Sequence, residues 1–114
     1  MKSVNKVVLL GHVTRDPELK AIKNGQHVCT FDLATSREWK DSAGEMQLLA
    51  EFHHIVVWGA FADTCAAHVK KGKPLYIEGY LKTSSWVGKQ REKFSRTEIV
   101  AEEVVFLAAS AQAK

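Results

Sequence analysis

A chain of 114 residues with 46% hydrophobic and 25% charged side chains is long enough for one domain with a real core, too short for two, and too apolar to be disordered along most of its length. No apolar run approaches the roughly 18 residues of a membrane span, Met1–Asn5 lacks the basic and apolar layout of a signal peptide, and two cysteines, Cys29 and Cys65, are too few and too far apart for a disulfide scaffold or a CxxC site. A cytoplasmic protein with reduced thiols and no membrane partner is expected.

The net charge of +3 is modest but unevenly placed: between Lys70 and Arg96 eight basic side chains stand against two acidic ones, and the rest of the chain is net negative. Such a segment can steer an anionic polymer or form a solvated hairpin, and charge alone does not choose.

Asn5–Thr14 is a nearly continuous apolar run rich in β-branched residues, followed by the turn signal Asp16-Pro17. It reads as a strand buried on both faces, one against a barrel core and the other against a partner, most simply a second subunit. Asn24-Gly25 marks a tight hairpin turn into a second strand, His27–Thr35, whose Cys29, Phe31 and Leu33 point to the core, Cys29 as a small hydrophobe. Ser36–Gln47 is polar, carries Gly44 and reads as a flexible loop in which Trp39 is the anomaly. Leu48–Trp58 is a third strand, with Phe52, His54, Val56 and Trp58 on one face and His53, Ile55 and Val57 on the other. After Gly59, AFADTCAAHVKKG suits a helix with Phe61, Cys65 and Val69 at spacings of four, ended by Lys70 and Lys71 with Gly72 as its left-handed cap. Leu75–Leu81 and Ser84–Val87 lead through a polar turn at Gly88–Glu92 into a last strand, Phe94–Leu107.

Three strands, a short helix and two more strands is the order of an all-β OB-fold, a five-stranded Greek-key barrel with its helix between strands three and four. It would occupy residues 1–107, leaving 108–114 as a disordered stub. Such barrels bind oligonucleotides across the face around their second and third strands, where the unusual aromatics fall. Trp39, Phe52, Trp58 and Trp86 could neighbour one another there and stack bases of any sequence, at roughly 1–3 kcal/mol per base. Lys71, Lys82, Lys89 and Arg91 would neutralise phosphates, and His54, when protonated, could join them. Core packing is the competing reading, stronger for Phe52 and Trp58 than for Trp39 and Trp86 in their polar surroundings.

His53 and His54 are adjacent in a strand and cannot hold one metal ion together; His53 reads as a hydrogen-bonded packing residue or an interface residue. Glu98, Glu102 and Glu103 lie where nothing marks a pocket, and phosphate loop, nucleophile elbow and zinc spacing are missing. No catalytic residue, metal or cofactor is expected.

The stretches VNKVVLLGHVTRDPE, Asn24-Gly25, FDLATS (31–36), GEM (44–46), EFHHIVVWG and KKGKPLYIEGYLKT together resemble the bacterial and mitochondrial-type single-stranded DNA-binding proteins, from about Val4 to Phe106. The resemblance implies a homotetramer of OB-folds, a dimer of dimers, that wraps single-stranded DNA in replication, recombination and repair. The family's stacking aromatics match Trp39, Phe52, Trp58 and Trp86, with Phe52 where a tryptophan is usual and Trp58 where a phenylalanine is usual. His53 matches a histidine at the contact between dimers, and Val4, Lys6, Val8 and Tyr76 complete the candidate oligomer interface. The family normally continues into a Gly, Pro or Gln-rich linker and an acidic tip that recruits replication and repair proteins; this sequence stops at Lys114, so those partners require a tip beyond it. The alternative is an OB-fold adaptor that docks other proteins in a replication complex, which has little need of four aromatics beside a basic hairpin.

Overall fold

The computed structural model describes residues 1–107. Its elements are β1 (Val7–Val13), β2 (Glu18–Ala21), β3 (His27–Lys40), β4 (Met46–Trp58), α1 (Ala60–His68), β5 (Pro74–Val87) and β6 (Lys93–Phe106). The five longer strands follow the order β1-β5-β6-β4-β3, and a β1–β3 pairing closes them into a barrel. All ladders are antiparallel except β4–β6, where Ile55 pairs with Ile99 and Val56 with Val100. This is the OB-fold expected from the order of elements.

Alternation along the strands builds the core: Cys29, Phe31 and Leu33 of β3 meet Ile55 and Val57 of β4, Leu75 and Ile77 of β5, and Ile99, Ala101 and Val104 of β6. From α1 and the residue just beyond it, Ala62, Cys65 and Val69 add a buried stripe to the same cluster. Two glycines allow the barrel to close. A β-carbon at Gly11 would lie 2.2 Å from the Ala34 carbonyl oxygen, where β1 leaves β5 to pair with β3. At Gly79 it would lie 1.9 Å from the Val100 carbonyl oxygen, beside a register shift in the β5–β6 ladder.

In the single chain the core covers one face of β1, as expected, while on the other face Val8 and Leu10 are 54% and 62% exposed and His12 is also exposed. Several other expectations are corrected. An additional short strand, β2, pairs with β3 from Glu18–Thr30 to Ala21–His27, and Asn24 and Gly25, both at positive φ, turn one into the other. The segment expected as a loop from Ser36 to Gln47 is mostly strand, because β3 and β4 pair without a break out to Lys40 and Met46. The polar side chains hid this arm, since exposure on both sides removes the apolar alternation that marks a strand. The helix ends at His68 rather than at the lysines. Gly72 is left-handed as expected, but it serves a turn in which Lys73 N–H donates to the Lys70 carbonyl. Leu75–Leu81 and Ser84–Val87 are one bent strand, β5. The expected stub, Ala108–Lys114, lies outside the described residues.

Candidate nucleic-acid interface

The unbroken β3–β4 register fixes which side chains share a side of the sheet. Phe52, His54, Val56 and Trp58 project outward with Val28, Thr30 and Asp32 of β3 beside them. Val28 and Val56 are buried beneath this face, while Phe52 is 68% and Trp58 39% exposed. On the other half of the barrel, Lys82, Ser84 and Trp86 of β5 lie opposite Glu98, Arg96 and Phe94 of β6. The halves meet where Lys82 Nζ lies 5.8 Å from the Trp58 ring centre and His54 Nε2 lies 3.5 Å from Glu98 Oε2. The result is one continuous surface crossed by a groove of about 490 Å³, lined by Arg15, Lys20, His54, Trp58, Arg96 and Glu98 among others.

At one end of this surface Trp86 stacks on Phe94, ring centres 5.7 Å apart and planes 21° from parallel. Sequence reasoning missed Phe94. The signal lay in the hairpin itself, since a turn at Gly88–Glu92 sets Phe94 directly opposite Trp86. The turn is closed by Gly88 N–H donating to the Glu92 carbonyl at 2.8 Å, with Arg91 left-handed. Lys89 and Arg91 are exposed at its tip. Lys71 lies elsewhere, on the turn between α1 and β5, where its backbone N–H donates to Asp16 Oδ1 at 3.0 Å.

Trp39 is not brought into this surface. It pairs with Gln47 on the β3–β4 arm and projects to the opposite side of the sheet from Phe52 and Trp58. There it is 40% exposed, with the Arg37 guanidinium 5.2 Å from its ring centre. Three of the four expected aromatics therefore share one surface, and the fourth lies on the far side of the arm.

Charged groups that the sequence reading gave no binding role occupy the groove, and Glu98, expected where nothing marks a pocket, is one of its lining residues. Asp32 hydrogen-bonds Arg15 Nε and His54 Nδ1, each at 3.0 Å. Burial pushes the Asp32 carboxyl up, but the hydrogen bonds with His54 and Arg15 and their charge outweigh it and hold Asp32 below the usual carboxylate range. Arg96 Nη2 lies 3.2 Å from Glu98 Oε2. His53, on the opposite side from His54, is half-buried, with Nε2 2.9 Å from Thr35 Oγ1.

The candidate interface residues gather on the outward face of β1 and β5. Val8 lies opposite Glu78, Leu10 opposite Tyr76, and Tyr76 opposite Val105 of β6. Lys6 Nζ lies 2.9 Å from Glu78 Oε1, and the Tyr76 hydroxyl donates to Glu78 Oε2. These hydrogen bonds, Tyr76 first and Lys6 second, hold the Glu78 carboxyl below its ordinary range. Val4 is 91% exposed at the start of this face. Asn5 mimics a strand residue, its side chain accepting from Leu81 N–H and donating to the Leu81 carbonyl.

Cys29 and Cys65 are both free and fully buried. Burial pushes the Cys65 thiol up to about 12, so it presents no thiolate for chemistry.

A family model described as the single-strand binding protein family matches residues 4–107. Single-stranded DNA-binding protein 1 of Chlorobaculum tepidum is 46% identical over 109 residues, covering 95% of this chain and 67% of that protein. A solved Plasmodium falciparum SSB in complex with ssDNA superposes with a TM-score of 0.85 at 32% identity, over 95% of this chain and 98% of that one. A deletion mutant of the Thermus aquaticus single-stranded DNA binding protein gives a TM-score of 0.83 at 24% identity, over 93% and 51% of the two chains, a likeness of fold alone. With a family model spanning the whole barrel and a relative at this identity, the chain belongs to the single-strand binding protein family.

Proposed function

We propose that this protein binds single-stranded DNA without sequence preference by stacking bases on Phe52, Trp58 and Trp86, and so protects exposed strands in replication, recombination and repair in the cytoplasm. The observation that carries the reading is the gathering of those three exposed rings, at 68%, 39% and 49%, on one surface together with Lys82, Arg15, Lys20 and Arg96. Large apolar rings left in water on a single face mark a binding site. Every base has a π-face, so stacking holds any sequence, while lysines and arginines supply the salt-dependent phosphate contacts. Lys89 and Arg91 extend the basic track past Trp86, whereas Lys71, on the turn between α1 and β5 beside Asp16, would meet only a strand that runs on beyond the groove. His54 contributes charge when protonated. A strand long enough to pass around the β3–β4 arm reaches Trp39 on its other side.

The functional assembly on this reading is a homotetramer. Val4, Lys6, Val8 and Tyr76 on the open face of β1 and β5, and His53 at a separate contact, supply its interfaces. A single chain leaves Val8 and Leu10 more than half exposed, which a second copy would cover.

Titration with labelled oligo(dT), oligo(dA), oligo(dC) and a duplex of equal length tests the binding mode. The three single strands are expected to bind with affinities within about tenfold of one another, because stacking tolerates all bases, and the duplex far more weakly. A preference for the duplex, or for one sequence by orders of magnitude, would overturn the reading.

A further inference from the structure

The groove that receives phosphates on this reading has acids in it. The side chains of Asp32 and Glu98 are 29% and 17% exposed, more shielded than the arginines that cover them, Arg15 at 46% and Arg96 at 59%. Arg15 Nε donates to Asp32 Oδ2 at 3.0 Å, and Arg96 Nη2 lies 3.2 Å from Glu98 Oε2. His54 stands between the two acids, Nδ1 3.0 Å from Asp32 Oδ1 and Nε2 3.5 Å from Glu98 Oε2. Two of the basic groups that face the groove are thus engaged by its own carboxylates before any ligand arrives.

A phosphate entering this groove must draw guanidinium donors away from carboxylates, and an acid left unpaired beside it repels it. A proton on His54 changes the balance. Neutral imidazole has one N–H and can donate to one acid, whereas imidazolium donates from both ring nitrogens, one toward each. The charged groups around His54 are Asp32 on β3, Arg15 on the β1–β2 connection, Glu18 and Lys20 on β2, Arg96 and Glu98 on β6, and Lys82 on β5 opposite Glu98. That set carries one net positive charge with His54 neutral and two with His54 protonated.

Resting on the DNA-binding reading above, we propose that Asp32 and Glu98 are negative determinants of binding that hold Arg15 and Arg96 in the free protein, and that a strand engages these arginines with uptake of a proton by His54. The acids lower affinity at neutral pH and make the complex easier to exchange, while mild acid tightens it.

The test is anisotropy of rhodamine-labelled oligo(dT) with the full chain at fixed salt, from about pH 8 to about pH 6, where histidine titrates. Wild-type affinity is expected to rise about three- to tenfold over that interval, within the limit of tenfold per pH unit for one proton. His54→Gln removes the rise, and His68→Gln, at the end of α1 against Phe106, retains it. Glu98→Gln and Asp32→Asn bind about three- to tenfold more tightly than wild type at the higher pH, with a flatter profile, as expected for removing one repelling charge. Circular dichroism checks that each variant is folded, and Glu98→Gln carries the test if Asp32→Asn is not. Binding that is independent of pH, or a folded Glu98→Gln that binds no more tightly than wild type, overturns the proposal while leaving single-strand binding intact. Failure of the wild type to bind oligo(dT) at any pH overturns the underlying reading instead.

Discussion

The Ala34 carbonyl oxygen lies 2.2 Å from where a β-carbon at position 11 would sit. The neighbour is backbone and cannot swing aside, so Gly11→Ala forces β1 and β3 apart at the seam of the barrel. The expected cost is about 2–4 kcal/mol, read as a fall in the urea midpoint with an unchanged slope. For binding, Trp58→Ala and Trp86→Ala should each weaken a short oligo(dT) by roughly 1–3 kcal/mol without lowering stability comparably, because both rings are substantially exposed. Trp39→Ala should leave that short oligonucleotide unaffected and weaken only strands long enough to wrap the arm. Equal losses for all three on the short strand would contradict the two-sided placement. Core residues such as Phe31 and Leu33 were legible in the sequence from alternation alone, whereas in β4 alternation separated Ile55 and Val57 from Phe52 and Trp58 without saying which face was core. Arg96 and Glu98 were not legible, since their roles depend on β6 lying beside β4, a pairing with no local signature. Asp32 was not, since its role depends on Arg15 of the β1–β2 connection and His54 of β4 both reaching it.

At the scale of the element, the β3–β4 arm shows why polar sequence can still be strand. Its tip is organised by Asp41, whose Oδ1 accepts from Ala43 and Glu45 N–H groups at 2.9 Å each and whose Oδ2 accepts from Gln47 Nε2 at 3.0 Å. The Glu45 N–H bond, chief among these, holds the Asp41 carboxyl below its ordinary range. Asp41→Ala is expected to fray the arm, with faster hydrogen exchange from Arg37 to Leu49 and no change in the barrel. Asp32 acts on the sheet in the same sense. Its folded value is depressed, so its stabilisation is complete above the ordinary carboxylate range near pH 4 and is lost as pH falls through the lower folded value. Solvent screening limits that contribution to about 1 kcal/mol. Asp32→Asn should therefore melt below wild type at neutral pH, and the gap should close in acid. A gap that widened in acid would reverse the sign. The hairpin at Asn24-Gly25 and the alternation of β4 were readable in advance; β2 was not, because four exposed residues, Glu18–Ala21, carry no apolar pattern.

The whole molecule combines a barrel closed on itself with two surfaces that are not closed. One is the aromatic groove; the other is the β1–β5 face with Val8, Leu10 and Tyr76. If the second is where copies meet, Leu10→Glu should reduce the mass seen by light scattering while the melting transition of the chain persists. His53→Ala should loosen the assembly without abolishing binding to a short oligonucleotide. An unchanged mass for both variants would place the interface elsewhere. The order of strands and the helix announced the barrel, whereas the division of its surface emerged only from the register. All three tryptophans, Trp39, Trp58 and Trp86, lie on segments assigned here to the DNA, so titration of the unlabelled protein with poly(dT), followed by tryptophan emission, tests the central claim most directly. Emission should fall in a saturable manner as bases stack, and added salt should reverse it less steeply than for a complex held by phosphates alone. Emission that stays unchanged while binding is seen by another method would contradict the stacking account.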